Sequence, residues 1–374
     1  MWCITTFCNL KKLYFIAGEP SGDLHGANLI KQLLAQQPNL EIRGWGGDLM
    51  QEAGAIITKH YRELAFMGFV EVVKNLPTIL KNFKVCKQEI EAFKPDGVVL
   101  IDYPGFNLRM AKHIHKLGIK VYYYILPQAW AWKQNRANAL RDNTTKMFSI
   151  LPFEQKFFEK FNANVDYVGH PLIDAIEDFR KKITEKIKSD KPILALLPGS
   201  RKQEITAMLP KMVAAAKAFS QFKVIVAGAP SQDEAFYRQF LKGASEFELI
   251  FGKTYELLNS AHTALVTSGT ATLETALFKV PQVVCYKGGA ISVMIARLLI
   301  KVNYISLVNL IMDREVVKEL IQGEMNANAI KSELEKIVVG PHRDKMKSNY
   351  QTLIEKLGGG GASQLTASLL LKTL

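Results

Sequence analysis

Short apolar runs alternate with stretches of helical apolar spacing along almost the whole chain. In the first half, Leu13–Ala17, Ile42–Trp45, Gly97–Asp102, Val121–Ile125, Met147–Ile150 and Val165–Val168 predict buried strands. Their counterparts in the second half are Ile193–Leu197, Lys223–Ala227, Glu248–Phe251, Ala264–Thr267 and Gln282–Tyr286. Amphipathic segments lie between nearly all of them, for example the one carrying Leu24, Ala27, Leu29, Ile30, Leu33 and Leu34. This rhythm predicts parallel sheets with crossover helices, built twice. The charged stretch DAIEDFRKKITEKIKSDK, Asp174–Lys191, reads as a linker helix plus loop. The expected domains are therefore 1–173 and 192–340, joined by 174–191. After Val339, helical patterns at Asp344–Leu357 and Ser363–Leu371 flank the joint Gly358–Gly361. Two doubly wound domains facing each other would enclose a cleft at their strand carboxyl ends, where ligands of such sheets bind.

Composition narrows the class. The 374 residues, 48% of them apolar, can fill two cores. A net charge of +13 favours anionic partners such as phosphorylated substrates, nucleic acid or an anionic membrane surface. Cys3, Cys8, Cys86 and Cys285 show no C-x-x-C pair and no metal-ligand spacing, so a reduced cytoplasmic setting is expected. The opening MWCITTFCNLKK lacks the features of a signal peptide. The nearest approach to a membrane span, Gly288 to Met312, is interrupted by Arg297 and Lys301.

Several motifs could carry chemistry. In LYFIAGEPSGDLHGANLI a strand, a turn and a helix follow one another, yet Gly18, Gly22 and Gly26 do not form G-x-G-x-x-G. Asp102, in LIDYPGFN, closes a strand; it is either a turn residue or a general base at the sheet's carboxyl edge. The stretch LLPGSR places Gly199, Ser200 and Arg201 where a helix start favours phosphate. Its partner VTSGTATLETAL offers Ser268, Gly269, Thr270, Ala271 and Thr272 for a diphosphate and Glu274 for ribose hydroxyls. The alternative there is a helix capped by Ser268 or Thr270, with Glu274 facing solvent. Trp130 and Trp132 precede a basic helix, but no nucleic-acid module surrounds them. Phe66, Met67, Phe69 and Val70 crowd ahead of Lys74, Lys81, Lys84 and Lys87, either as a packed helix or as an apolar lip for a bilayer or acyl chain. His170 is a core, hinge or substrate-contact histidine. No D-x-D occurs, so a diphosphate would rely on Arg201 and helix termini rather than a metal.

Together, AGEPSGDLHGANLI, LAFMGFVEVV, IDYPGFN, PQAWAWKQNR, LPFE, VGHPL, LLPGSR, TSGTATLETAL and YISLVNLI resemble the lipid-A-disaccharide synthase family, in that family's order. The resemblance implies a GT-B glycosyltransferase of two Rossmann-like domains, with C-terminal helices (341–374) returning to the first. It implies an inverting transfer from UDP-2,3-diacylglucosamine to 2,3-diacylglucosamine 1-phosphate, giving a β(1→6) disaccharide and UDP without metal or other cofactor. Asp102 would be the base, with Glu19 and Arg201 completing the catalytic set. Ser21, Asp23, His170 and Asn309 would line the acceptor side. The protein would be cytoplasmic, peripheral on the inner membrane and without nucleic-acid partners, and its C-terminal segment could pack on a second copy. The chain departs from the family's usual pattern at Gly105, where an acid is frequent, at Gln128-Ala129 before W-A-W, and at Val308.

Overall fold

The computed structural model describes residues 10–64, 76–182, 186–288 and 303–374. Phe66, Met67, Phe69 and Val70 lie outside the described residues. The chain divides into two compact units, 1–174 with 360–374, and 175–359.

The first unit holds β1 (Lys11–Ala17), β2 (Leu40–Gly46), β3 (Ile56–His60), β4 (Gly97–Ile101), β5 (Lys120–Tyr124), β6 (Lys146–Ser149) and β7 (Asp166–Tyr167). They form one parallel sheet in the order β3-β2-β1-β4-β5-β6-β7. Every residue of β4 is buried, because helices cover both faces of a parallel sheet. Val98 and Leu100 enter one apolar cluster, while Val99 and Ile101 enter the other. The second unit repeats the plan with β8 (Ile193–Leu197), β9 (Lys223–Gly228), β10 (Glu248–Phe251), β11 (Ala261–Thr267), β12 (Gln282–Tyr286) and β13 (Lys318–Ile321), in the order β10-β9-β8-β11-β12-β13. Strand order reverses at β1/β4 in one unit and at β8/β11 in the other, and ligand sites form at such points.

Four local expectations are corrected. The edge strands β3 and β13 were not expected; their sequences, IITKH and KELI, are too polar to read as buried runs. β4 ends at Ile101 and β5 at Tyr124, because Asp102 and Ile125 take left-handed backbone angles (φ 44° and 62°) that leave the sheet. The expected linker is not a separate segment at its start: the helix Pro171–Lys182 runs across the boundary between the units. The helix Pro341–Leu357 belongs to the second unit, not the first. Its Met346 and Tyr350 pack beneath β12, where Gln282 N–H meets Met346 Sδ at 3.4 Å and Gln282 Nε2 donates to Tyr350 Oη at 3.3 Å.

Only the last helix, Ala362–Leu371, joins the first unit. Ala367 and Leu370 share a core with Ala27, Ile30 and Leu33 of the helix Pro20–Gln36. Ser368 Oγ donates to Gln36 Oε1 at 2.9 Å. The Asp174 carboxylate accepts from the N–H groups of Gly361 and Ser363, satisfying the start of this helix. Asp174→Ala is therefore expected to destabilise the first unit by about 1 kcal/mol. Denaturant titration of the variant reads this, and an unchanged midpoint would show the cap to be irrelevant. Among the described residues, no helix is long and apolar enough to cross a membrane.

Candidate active site

The first group lies at the β1/β4 switch point of the first unit. Asp102 and Tyr103 both occupy the left-handed region, φ 44° and 47°, which costs energy for residues other than glycine. The surrounding fold enforces it. Asp102 N–H donates to Tyr124 O at 3.1 Å, and the Asp102 carbonyl accepts from Asn107 Nδ2 and Tyr123 Oη, each at 2.8 Å. Asn107 is completely buried. Burial and the neighbouring Glu19 charge push the Asp102 carboxyl up to about 6, against a smaller opposite pull from the Tyr103 N–H. Glu19 is the N-cap of the helix Pro20–Gln36, yet its side chain makes no cap hydrogen bond. A side-chain carbon at Gly105 would meet nothing within 4 Å.

The glycines of the opening motif serve packing. A side-chain carbon at Gly18 would lie 2.5 Å from the Tyr103 ring, and one at Gly26 would lie 2.7 Å from Met50 Sδ. Gly18 thereby lets the start of the helix lie against the Asp102 turn. Asp23 also has a structural duty. Its buried carboxylate accepts from the N–H groups of Gly47 (2.7 Å), Leu49 (3.2 Å) and Met50 (3.1 Å), which caps the helix Asp48–Glu52. Ser21 is exposed on the first turn of its helix.

His170 is a core histidine. It is 3% exposed, and its Nδ1 accepts from Leu172 N–H at 3.3 Å. Burial and the nearby His25 push it down to about 3, and burial pushes His25 down to about 4. Both lie below the ordinary histidine value, so unfolding takes up protons below pH ~6.5 and stability falls as pH drops. Between pH 6.5 and 5 the loss attributable to His170 is about 2 kcal/mol. The unfolding free energy of His170→Asn, relative to the parent, should therefore improve by that amount over this interval. A parallel pair of stability curves would contradict it.

The second group lies wholly in the second unit, in a cavity of about 740 Å³. It is lined by the ends of β8 and β11 and by Tyr255, Thr270 and Glu274. In the P-G-S-R turn, the Glu204 carboxylate accepts from Ser200 N (3.2 Å), Arg201 N (3.3 Å) and an Arg201 guanidinium nitrogen (3.0 Å). The Ser200 and Arg201 amides are thus taken up, and this turn offers an exposed arginine rather than a backbone cradle. Gly199 (φ 103°) is required there, since a side-chain carbon would sit 2.6 Å from Glu204 Oε2.

The β11 loop is arranged the other way. Ser268 Oγ donates to Ile305 O at 3.0 Å, and Thr272 Oγ1 donates to Gly269 O at 2.8 Å, so both hydroxyls are committed to the fold. The helix Thr270–Leu277 starts at Gly269 with no side-chain cap and no acid in its first turn. The alternative of a helix capped by Ser268 or Thr270 is therefore corrected: this helix start presents exposed Gly269 and Thr270 at the cavity. Such an end favours an anion. Glu274 does not face solvent. Burial raises its carboxyl above the ordinary range, and Tyr255 Oη donates to its Oε1 at 3.0 Å.

Asn309 is not free to bind a ligand. Its Oδ1 accepts from Val316 N (2.7 Å) and Val317 N (3.0 Å), while its Nδ2 donates to Val317 O (2.9 Å) and Glu319 Oε1 (2.8 Å). Glu319 also accepts from Ile305 N and Ser306 N, the segment on which Ser268 rests. Asn309 thus supports the cavity loop from behind. Sequence reasoning missed Tyr255, Asn107 and Glu319, whose partners are remote in the chain. Glu204 was legible, three residues after Arg201 at capping-box spacing.

The comparisons with known proteins follow this geometry. A family model described as lipid-A-disaccharide synthetase matches residues 13–373. The chain is 37% identical to a lipid-A-disaccharide synthase of Syntrophus aciditrophicus, over 97% of this chain and 98% of that protein. It is 38% identical to one of Coxiella burnetii, over 93% of each. Among solved structures, UDP-GlcNAc 2-epimerase from Neisseria meningitidis bound to UDP-GlcNAc superposes with a TM-score of 0.69 at 14% identity, covering 96% of this chain and 100% of that one. The kitacinnamycin glycosyltransferase superposes at 0.65 with 10% identity, over 97% of this chain and 99% of that one. These structures share the fold, two parallel α/β units of GT-B type. The family match across nearly the whole length, with relatives more than a third identical, places the chain in the lipid-A-disaccharide synthase family, as a glycosyltransferase of that activity.

Proposed function

We propose that the enzyme joins UDP-2,3-diacylglucosamine to 2,3-diacylglucosamine 1-phosphate, forming the β(1→6) tetra-acyl disaccharide 1-phosphate and UDP. The observation that carries this reading is the Asp102 carboxyl beside Glu19, held at a ligand-binding switch point and poised near 6. Asp102 takes the proton of the acceptor hydroxyl as its oxygen bonds to the anomeric carbon from the face opposite UDP. The bond from that carbon to the diphosphate oxygen breaks, and UDP leaves with the electron pair. Positive charge develops on the sugar ring and negative charge on the diphosphate. Arg201 and the uncapped helix start at Thr270 would stabilise the latter, with Gly269 and Ala271 beside it. Glu274, oriented by Tyr255, would accept from the ribose hydroxyls.

The same reading places the enzyme at the inner leaflet of the membrane. Leu80 is 55% exposed beside Lys81 and Lys84 on the helix Leu76–Phe93, a pattern that suits an anionic lipid surface. Exchange of the C-terminal helix with a second copy would use the Gly358–Gly361 joint.

One incubation tests the reading. Purified protein is mixed with both lipid substrates in detergent and EDTA, and the products are read by mass spectrometry. Tetra-acylated disaccharide phosphate plus UDP is expected. A UDP-binding protein that forms no disaccharide would overturn the acceptor, and an epimerised UDP-sugar would point to the chemistry of its structural neighbours.

A further inference from the structure

The loop after β5 carries two cations that the proposed mechanism does not use. Between Arg109 and Lys146 the chain places eight basic residues against one acid, Asp142. Arg141 and Lys146 pair with Asp142 and Asp166, at 2.8 and 2.9 Å. Among the described residues, the side chains of Lys133 and Arg136 have neither a carboxylate partner nor a hydrogen bond. Both stand over Trp132 instead, with Lys133 Nζ and the Arg136 guanidinium carbon each 4.6 Å from the ring centre. The two charges therefore lie within twice that distance of each other. At such range they repel, and partial burial works further against the Arg136 charge. A dianion between them would offset both effects.

The platform under them is fixed. Trp130, two residues before Trp132, is buried; its Nε1 donates to Glu154 Oε1 at 3.1 Å and its ring packs edge-on against Phe153. Lys133 occupies the left-handed region (φ 53°), a strain that persists only where the surrounding structure enforces it. Arg136 opens the helix Arg136–Asn143, whose Ala137 and Leu140 share a core with Phe106 and Tyr123. The same core reaches the Asp102 turn. β5 pairs with β4 up to Tyr124 opposite Ile101, and Tyr123 Oη donates to the Asp102 carbonyl at 2.8 Å. The Arg136 charge acts on that Tyr123 hydroxyl through space, without a bond to it.

We propose that Lys133 and Arg136, presented by Trp132, hold the phosphomonoester of the acceptor on the Asp102 side of the reaction. This rests on the glycosyl-transfer reading, in which the acceptor bears a 1-phosphate and its hydroxyl meets Asp102. A guanidinium offers paired N–H donors to two phosphate oxygens, and an ammonium adds a point charge. The strand ends of β4 and β5 are neighbours, about 5 Å apart. A sugar ring lying across them would have its hydroxyl at Asp102 and its phosphate at the two cations.

Two measurements test this on the intact enzyme. The first is equilibrium binding of detergent-dispersed 2,3-diacylglucosamine 1-phosphate, against the same lipid without its phosphate. The parent should prefer the phosphorylated lipid about a hundredfold, and the double variant Lys133→Gln, Arg136→Gln should lose most of that preference. A merely structural role would weaken both lipids alike, and a preference that survives both substitutions would overturn the proposal. The second is steady-state kinetics. Arg136→Gln should raise the acceptor KM about thirtyfold, with kcat changed far less and UDP affinity unmoved, and Arg136→Lys should recover part of the loss. A loss confined to kcat, to UDP affinity or to sedimentation with anionic phospholipid vesicles would assign the two cations to another task. Binding separates the two readings. A parent that prefers the phosphorylated lipid but forms no disaccharide would sink the transfer and keep the subsite, whereas active variants with an unchanged KM would sink the subsite alone.

Discussion

Asp102→Ala is expected to lower the rate of disaccharide formation about a thousandfold while leaving UDP affinity nearly intact. The reason is spatial and chemical. Asp102 belongs to the first unit, whereas every group assigned to the nucleotide lines the cavity of the second. The pH profile carries a second signature. A general base must be ionised, and this carboxyl is pushed up to about 6 by burial and by Glu19. Turnover should therefore fall as pH drops through about 6, with the slope of one proton. In Glu19→Gln the neighbouring charge is gone, and the midpoint should move toward the ordinary aspartate value. An active Asp102→Ala, or one that loses UDP affinity in step with rate, would remove the aspartate from the role of base. Asp102→Asn guards against a trivial cause. It keeps the side-chain volume in a turn where Asp102 and Tyr103 are already strained, and Asn tolerates left-handed angles.

Glu274→Ala should weaken UDP binding about a hundredfold by calorimetry, with little change in the fold of the first unit. Glu274 is largely enclosed, its carboxyl raised by burial, and Tyr255 donates a hydrogen bond to that carboxyl. A carboxylate held this way in a cavity has acceptor capacity left for ligand hydroxyls. Tyr255→Phe should weaken binding by a smaller factor, since it removes the group that orients Glu274 but not Glu274 itself. Unchanged UDP affinity in Glu274→Ala would move the nucleoside elsewhere along the cavity. The comparison with Arg201→Ala separates ribose from diphosphate: UMP binding should suffer in Glu274→Ala, and the advantage of UDP over UMP should shrink in Arg201→Ala.

The two sheets and their parallel sense could be read from the chain alone. Runs such as GVVLI and ILALL are apolar at every position, and only a strand covered on both faces needs that. β3 and β13 could not, because an edge strand has one neighbour and tolerates Thr58, Lys59 and Lys318. The same limit governs the site. PGSR and TSGTATLE announce two loops at strand ends, so the cavity of the second unit was legible. Which of their groups remain available was not. Glu204 fills one turn with its own carboxylate, and Ser268 and Thr272 turn their hydroxyls back on the fold, leaving the bare helix start at Gly269.

Asp23, His170 and Asn309 are polar residues in motifs that look functional, and each is buried with a backbone N–H bonded to its side chain: Met50 for Asp23, Leu172 for His170 and Val317 for Asn309. The sequence by itself determined the repeated α/β plan, the two glycine-bearing loops after β8 and β11 and the aspartate after β4, because periodicity and turn chemistry are local. Only the tertiary structure decided that Asp102 sits against Glu19 with a raised carboxyl and that Tyr255 aims Glu274. Burial and charge coupling arise between residues that the chain keeps far apart, and no local pattern records them.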